Sequence, residues 1–289
     1  MKKNNKIIID ELTKIKERLN YDKEKKRFLI SAKEIKQITQ KFNYPCREVE
    51  IIALKGGIIP LRYQGNLDSI SVSEQIKLLC SSVAVIGAGG LGGNILELLS
   101  RLGIGELIIA DGDKFNESNL NRQLLSTEEN MGKSKIKGAI ERIKKINSAI
   151  KITGYELSID SENIKEIIQG VDLAIDALDS IPSRFILEKA CRELKIPLVH
   201  GAVDGFNGQI STIFPQDKGL ELIYGSLKEF SGQKKATNLS VPAVTPALIA
   251  SLQVEEVVKI LLQRGKPLRN KLLYINLEDF DIEILKLDK

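Results

Sequence analysis

Val83-Ala84-Val85-Ile86-Gly87-Ala88-Gly89-Gly90-Leu91-Gly92 decides how this chain folds. Four apolar residues in a row predict a buried strand, and the glycines after them predict a sharp turn into a helix over Asn94–Leu102. Glycine suits such a turn because the backbone must bend tightly and lie against a phosphate with no Cβ in the way. Backbone N–H groups and the positive end of the helix then favour an anion. A second apolar run, Leu107-Ile-Ile-Ala110, ends in Asp111, 24 positions past Gly87. That is the spacing at which an acid reaches a ribose hydroxyl. Gly87, Gly89, Gly90, Gly92 and Asp111 are therefore candidate nucleotide contacts.

Working outward, strands and helices alternate from Ser71 onward, which predicts an α/β, doubly wound, Rossmann-like and mostly parallel sheet. The expected strands are Val83–Ile86, Glu106–Ala110, Lys151–Tyr155, Leu173–Ala177 and Pro197–His200. Helices over Asn94–Leu102, Lys133–Ile146, Asn163–Gln169 and Ser183–Leu194 connect and flank them. Past Ala202 the pattern changes to an antiparallel C-terminal extension with a strand at Gln209–Phe214, a polar stretch Gln216–Asn238, a helix Pro246–Gln263 and a strand Lys271–Asn276. Residues 1–60 read as a small helical N-terminal module, with helices at Ile7–Leu19, Ser31–Phe42 and Arg47–Leu54. Ser31 is the expected N-cap of the second, with Glu34 at capping-box distance. The expected division is 1–60 for this module and 61–289 for the nucleotide domain.

Composition removes several classes. At 289 residues and 43% hydrophobic content the chain can bury a sizeable core. No run approaches the roughly 20 apolar residues of a membrane span, and the Ile7-Ile-Ile9 run is too short for a secretory signal, so a cytoplasmic protein is expected. Three scattered cysteines, Cys46, Cys80 and Cys191, form no C-x-x-C pair, so no zinc and no disulfide framework are expected. Residues 1–60 carry fifteen Lys/Arg against eight Asp/Glu, within a net charge of +5 for the whole chain. The run Lys23-Glu-Lys-Lys-Arg27 is mixed in sign and lacks aromatics, so it reads as a solvated helical face rather than a nucleic-acid contact.

The remaining polar residues specify the chemistry further. A second acid, Asp113, and an Asn/Arg pair ending in Arg122 are more than a dehydrogenase needs. Arg122 offers a planar fork for phosphate oxygens and Lys135 a compact charge. Asp179, in Asp176-Ala-Leu-Asp179, lies at the carboxyl edge of the sheet, where ligands bind such folds. A carboxylate beside a triphosphate suits Mg²⁺. His200, the single histidine, ends a strand and is expected to be structural.

Taken together, Gly87-Ala-Gly-Gly-Leu-Gly92, Asp111-x-Asp113, Ser118-Asn-Leu-x-Arg122-Gln, Gly132-x-x-Lys135 and Asp176-x-x-Asp179 resemble the ThiF/MoeB/HesA adenylyltransferases, relatives of the ubiquitin-activating enzymes. The resemblance covers about residues 61–289 and is most specific over 83–135. It implies that Asp111 holds the ribose, that Asn119, Arg122 and Lys135 contact phosphates, and that Asp179 carries Mg²⁺, with ATP as the nucleotide. It further implies activation of the C-terminal glycine carboxylate of a small ubiquitin-like sulfur carrier ending in Gly-Gly, in a thiamin, molybdopterin or related route, by a homodimer.

Three departures from the family pattern stand out. The two zinc-binding C-x-x-C pairs usual after the sheet are missing. The crossover stretch Gln216–Asn238 has no transfer cysteine. The family's early Arg-Tyr-x-Arg-Gln segment reads Arg62-Tyr63-Gln64-Gly65-Asn66, with glycine where an arginine normally reaches the neighbouring subunit's triphosphate. Arg62 or a basic residue of the N-terminal module is the candidate replacement. Two alternatives accompany this reading: a catalytically weak nucleotide- or carrier-binding module of the same fold, and a nicotinamide-dependent oxidoreductase.

Overall fold

The computed structural model describes residues 2–226 and 240–287. After Lys2–Ile15 (α1) come strands Asn20–Asp22 (β1) and Arg27–Ile30 (β2), helices Ala32–Phe42 (α2) and Cys46–Lys55 (α3), and strand Ile58–Pro60 (β3). Next are Val72–Cys80 (α4), Ser82–Ile86 (β4), Gly90–Leu102 (α5), Glu106–Ala110 (β5), Lys135–Ile146 (α6), Lys151–Tyr155 (β6), Ile164–Ile168 (α7) and Leu173–Asp176 (β7). The chain continues with Ile181–Leu194 (α8), Leu198–Asp204 (β8), Asn207–Ile213 (β9), Glu221–Tyr224 (α9), Val244–Leu262 (α10), Lys271–Asn276 (β10) and Asp281–Lys286 (β11).

The large sheet has the order β11-β10-β9-β8-β7-β4-β5-β6. Strands β4 to β8 run parallel, while β9, β10 and β11 each pair antiparallel with their neighbour. The expected doubly wound sheet with an antiparallel extension is therefore present. Both faces of the central parallel strands β4, β5 and β7 are covered, which is why they read as apolar runs, whereas the edge strand β6 is partly exposed. Val83 and Val85 of β4 pack with Ile95, Leu96 and Leu99 of α5 and with Val254 and Val257 of α10. Ala84 and Ile86 point the other way, into a layer with Ile167 of α7 and Leu187 of α8.

The front of the chain holds the three expected helices, with the Ser31–Glu34 capping box formed. It also holds a three-stranded sheet, β1-β2-β3, that the sequence did not suggest. Of the charged run, Lys23–Lys26 form the turn of the β1–β2 hairpin, with Lys26 at φ 52°, and Arg27 opens β2, so the run is not a helical face. This module is knitted to the first residues of the nucleotide domain. Leu29, Ile51, Leu54 and Ile59 share one apolar cluster with Tyr63, Leu67 and Leu79. Beside it, the Tyr63 hydroxyl donates to Glu50 Oε2 (3.0 Å) and accepts from Asn147 Nδ2 (3.0 Å). The final strand β11 was likewise not anticipated. Of the polar stretch Gln216–Asn238, residues 227–238 lie outside the described residues, and Glu221–Tyr224 is helical. Among the described residues no helix is long and apolar enough to cross a membrane.

Candidate active site

Strand order reverses between β4 and β7, so the loops leaving their carboxyl ends diverge and open a crevice. Gly87 turns out of β4 at φ +101°, and a Cβ there would lie 2.4 Å from the Ala177 carbonyl of the β7 loop. Gly92 has a different task. A Cβ on it would lie 1.9 Å from the Gly87 carbonyl, so it lets the first turn of α5 close onto the loop. The crevice is a cavity of about 430 Å³, within the range usual for small-molecule sites.

Gly87, Gly89 and Gly90 line it, with Asp111, Asp113, Arg122 and Lys135 on the β5 side and Asp179 on the β7 side. Among the described residues, Gly92 and Asn119 do not. Asn119 is buried, and its Oδ1 accepts from the Asn116 N–H (3.1 Å), so it shapes the loop that carries Arg122. Asn119 therefore lies behind the cavity wall, with its Oδ1 engaged by the loop.

The Asp111 carboxylate accepts from the Ala88 N–H (2.7 Å) and the Asp113 N–H (2.8 Å), tying the glycine loop to the end of β5. Burial pushes its carboxyl above the ordinary aspartate value, while Lys135 and the two N–H groups pull it down. Lys135 begins α6 and is 5% exposed. Its Nζ lies 2.9 Å from Asp113 Oδ2 and 4.0 Å from Asp111 Oδ2, a cation held inside the crevice by two acids. Arg122 Nη1 donates to the Ser118 carbonyl (2.9 Å) and to Asn121 Oδ1 (2.8 Å), which fixes the guanidinium on the wall. Asp179 is exposed at the cavity rim.

Sequence reading missed Arg184 and Gln123, which also line the cavity and are both nine-tenths buried. Arg184 sits one turn into α8, and only its proximity to Asp179 in sequence hinted at a role. Arg62, a candidate replacement for the arginine missing at position 65, is not in the wall. It is bound to Glu50 (3.3 Å) and to Asn147, away from the crevice. Gly65 is exposed, and a Cβ there would meet nothing within 4 Å. Among the described residues, no group of three or more His, Cys, Asp or Glu side chains could hold a metal ion.

A model of the ThiF family matches residues 62–289. A SAMP-activating enzyme E1 of Haloferax volcanii is 32% identical over 217 residues, covering 75% of this chain and 80% of that protein. A sulfur carrier protein adenylyltransferase of Thermus thermophilus is 33% identical, covering 72% and 79%. The adenylyltransferase and sulfurtransferase MOCS3 of Arabidopsis thaliana is 34% identical, and this chain spans 48% of its length. Among solved structures, E. coli MccB with ATP shares the fold at TM-score 0.67 and 24% identity, covering 88% of this chain and 82% of that one.

Proposed function

The chain belongs to the ThiF family and is an adenylyltransferase, and from that premise we propose that it uses Mg²⁺-ATP to activate the C-terminal glycine carboxylate of a small ubiquitin-like sulfur carrier. The observation that carries this reading is the crevice itself. A Cβ-free glycine wall adjoins Arg122 and Lys135 on one side and Asp179 on the other. A hydride-transfer site would leave those three residues without a task.

In the proposed reaction a carboxylate oxygen of the carrier attacks the α-phosphorus. The bond to the leaving pyrophosphate breaks, giving an acyl-adenylate. Asp111 receives the ribose hydroxyls. Lys135 and Arg122 face the phosphates, and Lys135 exchanges its contact with Asp113 for phosphate oxygens. The chain makes no covalent bond in this scheme, so positioning and charge neutralisation supply the acceleration. Mg²⁺ fits as an ion arriving with the nucleotide. Such ions take one or two protein carboxylates and fill the rest of their shell with phosphate oxygens and water, and Asp179 is the carboxylate of the β7 loop at the rim. The ion would neutralise phosphate charge.

ATP–pyrophosphate exchange with a carrier ending in Gly-Gly tests the reading. The native chain should exchange, and Lys135→Ala should lose on the order of 10²–10³-fold, as when one preorganised donor is removed from a charged transition state. Calorimetry should find ATP binding and no NADH binding. Nucleotide binding without exchange for any Gly-Gly carrier would favour the binding-module reading, which Gly65 motivates. Tighter binding of NADH than of ATP would overturn both.

A further inference from the structure

Beside the crevice, His200 of β8 is fully buried and its Nδ1 lies 2.7 Å from Asp176 Oδ2. With Nδ1 donating to Oδ2, every other contact of the circuit finds a donor and an acceptor. Burial also lowers the His200 pKa, leaving the ring neutral and Nε2 an acceptor. The Tyr224 hydroxyl lies 3.1 Å from Nε2. Its oxygen accepts from Arg184 Nη1 (2.6 Å) and Gln209 Nε2 (2.7 Å), so its own proton is directed to His200. Arg184 Nη2 donates to the Leu178 carbonyl (2.7 Å), and Asp176 Oδ1 accepts from the Leu178 N–H (3.0 Å).

These contacts close on themselves. Leu178 is held by Asp176, Asp176 by His200, His200 by Tyr224, Tyr224 by Arg184, and Arg184 by Leu178 again. Both backbone polar groups of Leu178 are clamped, and the next residue is Asp179. We propose that His200 and Tyr224 are positioning residues for the nucleotide site, closing a ring of hydrogen bonds that fixes the Leu178 backbone and with it the carboxylate of Asp179. The assignment of Asp179 to the metal rests on the function proposed above, but the ring itself does not. Neither His200 nor Tyr224 lines the cavity, so His200 acts on Leu178 through Asp176 and Tyr224 acts on it through Arg184. The donor and acceptor directions are consistent around the circuit, which is the condition under which a buried polar network rigidifies its surroundings.

Tyr224→Phe and His200→Asn cut the same bond from opposite sides. Asparagine keeps a donor near the place of Nδ1 and removes Nε2. Two measurements on the full chain test the proposal. Hydrogen exchange read on peptides spanning residues 176–183 should show protection at Leu178 in the native chain and its loss in either variant. Peptides of β5 and β6 should be unchanged. Calorimetry of ATP, once with EDTA and once with Mn²⁺, should show metal-free affinity preserved. The gain from Mn²⁺ should fall about ten- to a hundredfold, the usual effect of losing a partner that orients a metal ligand. In an Asp179→Asn background, Tyr224→Phe should remove nothing further. Unchanged protection at Leu178 in both variants, or an unchanged Mn²⁺ gain, would overturn the proposal. A native chain that binds no ATP with Mn²⁺ would instead sink the adenylyltransferase reading, and the exchange measurement would still decide the ring.

Discussion

At the residue scale, Gly87 shows how one missing atom sets the site. With φ at +101° and the Ala177 carbonyl 2.4 Å from where a Cβ would stand, Gly87→Ala suffers both backbone strain and a collision with rigid main chain. Left-handed strain in a non-glycine residue costs about 1–3 kcal/mol. Urea denaturation should therefore show a loss of at least that size, with ATP affinity falling alongside. His200 gives a second test. Its pKa is lowered in the fold by burial, the opposing pull of Asp176 being outweighed, with Arg184 adding to the lowering. The groups facing it are Asp176, Tyr224, Gln209 and Arg184. Above the ordinary histidine value the ring is neutral whether folded or not, and nothing is lost. As pH falls below that value the unfolded chain takes up the proton first, so stability declines toward acid. Urea midpoints measured between neutral pH and about pH 5 should fall, and the part of that fall due to His200 should vanish in His200→Asn.

At the scale of elements, what the sequence disclosed depended on whether the determining contacts were local. The β4–loop–α5 unit was legible because strand, turn and helix start lie within one short run, and Gly92 answers to the Gly87 carbonyl of that run; the Ala177 carbonyl that Gly87 must clear, 90 positions on, was not. Asp111 was legible for the same reason. The β1–β2 hairpin was not, because Lys23–Arg27 has a composition equally suited to a turn or a helix face, and its strands are fixed by β3, about thirty residues later. Asn119 matched a motif, yet its side chain serves the backbone of Asn116. Arg184 and Tyr224 could not be joined from sequence, since their 2.6 Å contact spans 40 positions and depends on how the chain crosses the sheet. The capping box of α2 is formed by residues three apart, which made it legible, and it supplies a local test. Ser31→Ala should cost about 1 kcal/mol, the usual value of an N-cap, measured as a shift in thermal midpoint with ATP binding unaltered.

For the whole molecule, the segment around Gly65 decides whether the site is complete in one chain. Gly65 is exposed, has no positive φ and would give a side chain open space. Gly65→Arg should therefore change stability by no more than about 0.5 kcal/mol, as for surface substitutions generally. In a homodimer that shares its triphosphate contacts across subunits, the same substitution should raise the ATP–pyrophosphate exchange rate. Equal rates at concentrations above and below the dimer midpoint, with and without the arginine, would show that each crevice works alone. Metal chelation provides a separate check, because the three cysteines are not paired for a zinc site. The melting temperature in EDTA should match that in buffer.

The placement of β4 in the middle of the sheet also sets a timetable for synthesis. Its partner on one side, β5, emerges soon after it, but its partner on the other, β7, pairs Leu173 with Val83, and the Ser82 N–H bonds Asp172 across 90 positions. Until β7 leaves the ribosome, the glycine loop has no Ala177 carbonyl to lie against and no opposite wall. Pairings this distant are slow to form and leave apolar strands uncovered meanwhile. A nascent chain stalled before residue 171 should therefore be protease-sensitive through β4 and blind to ATP, and both properties should change together once α8 has been made.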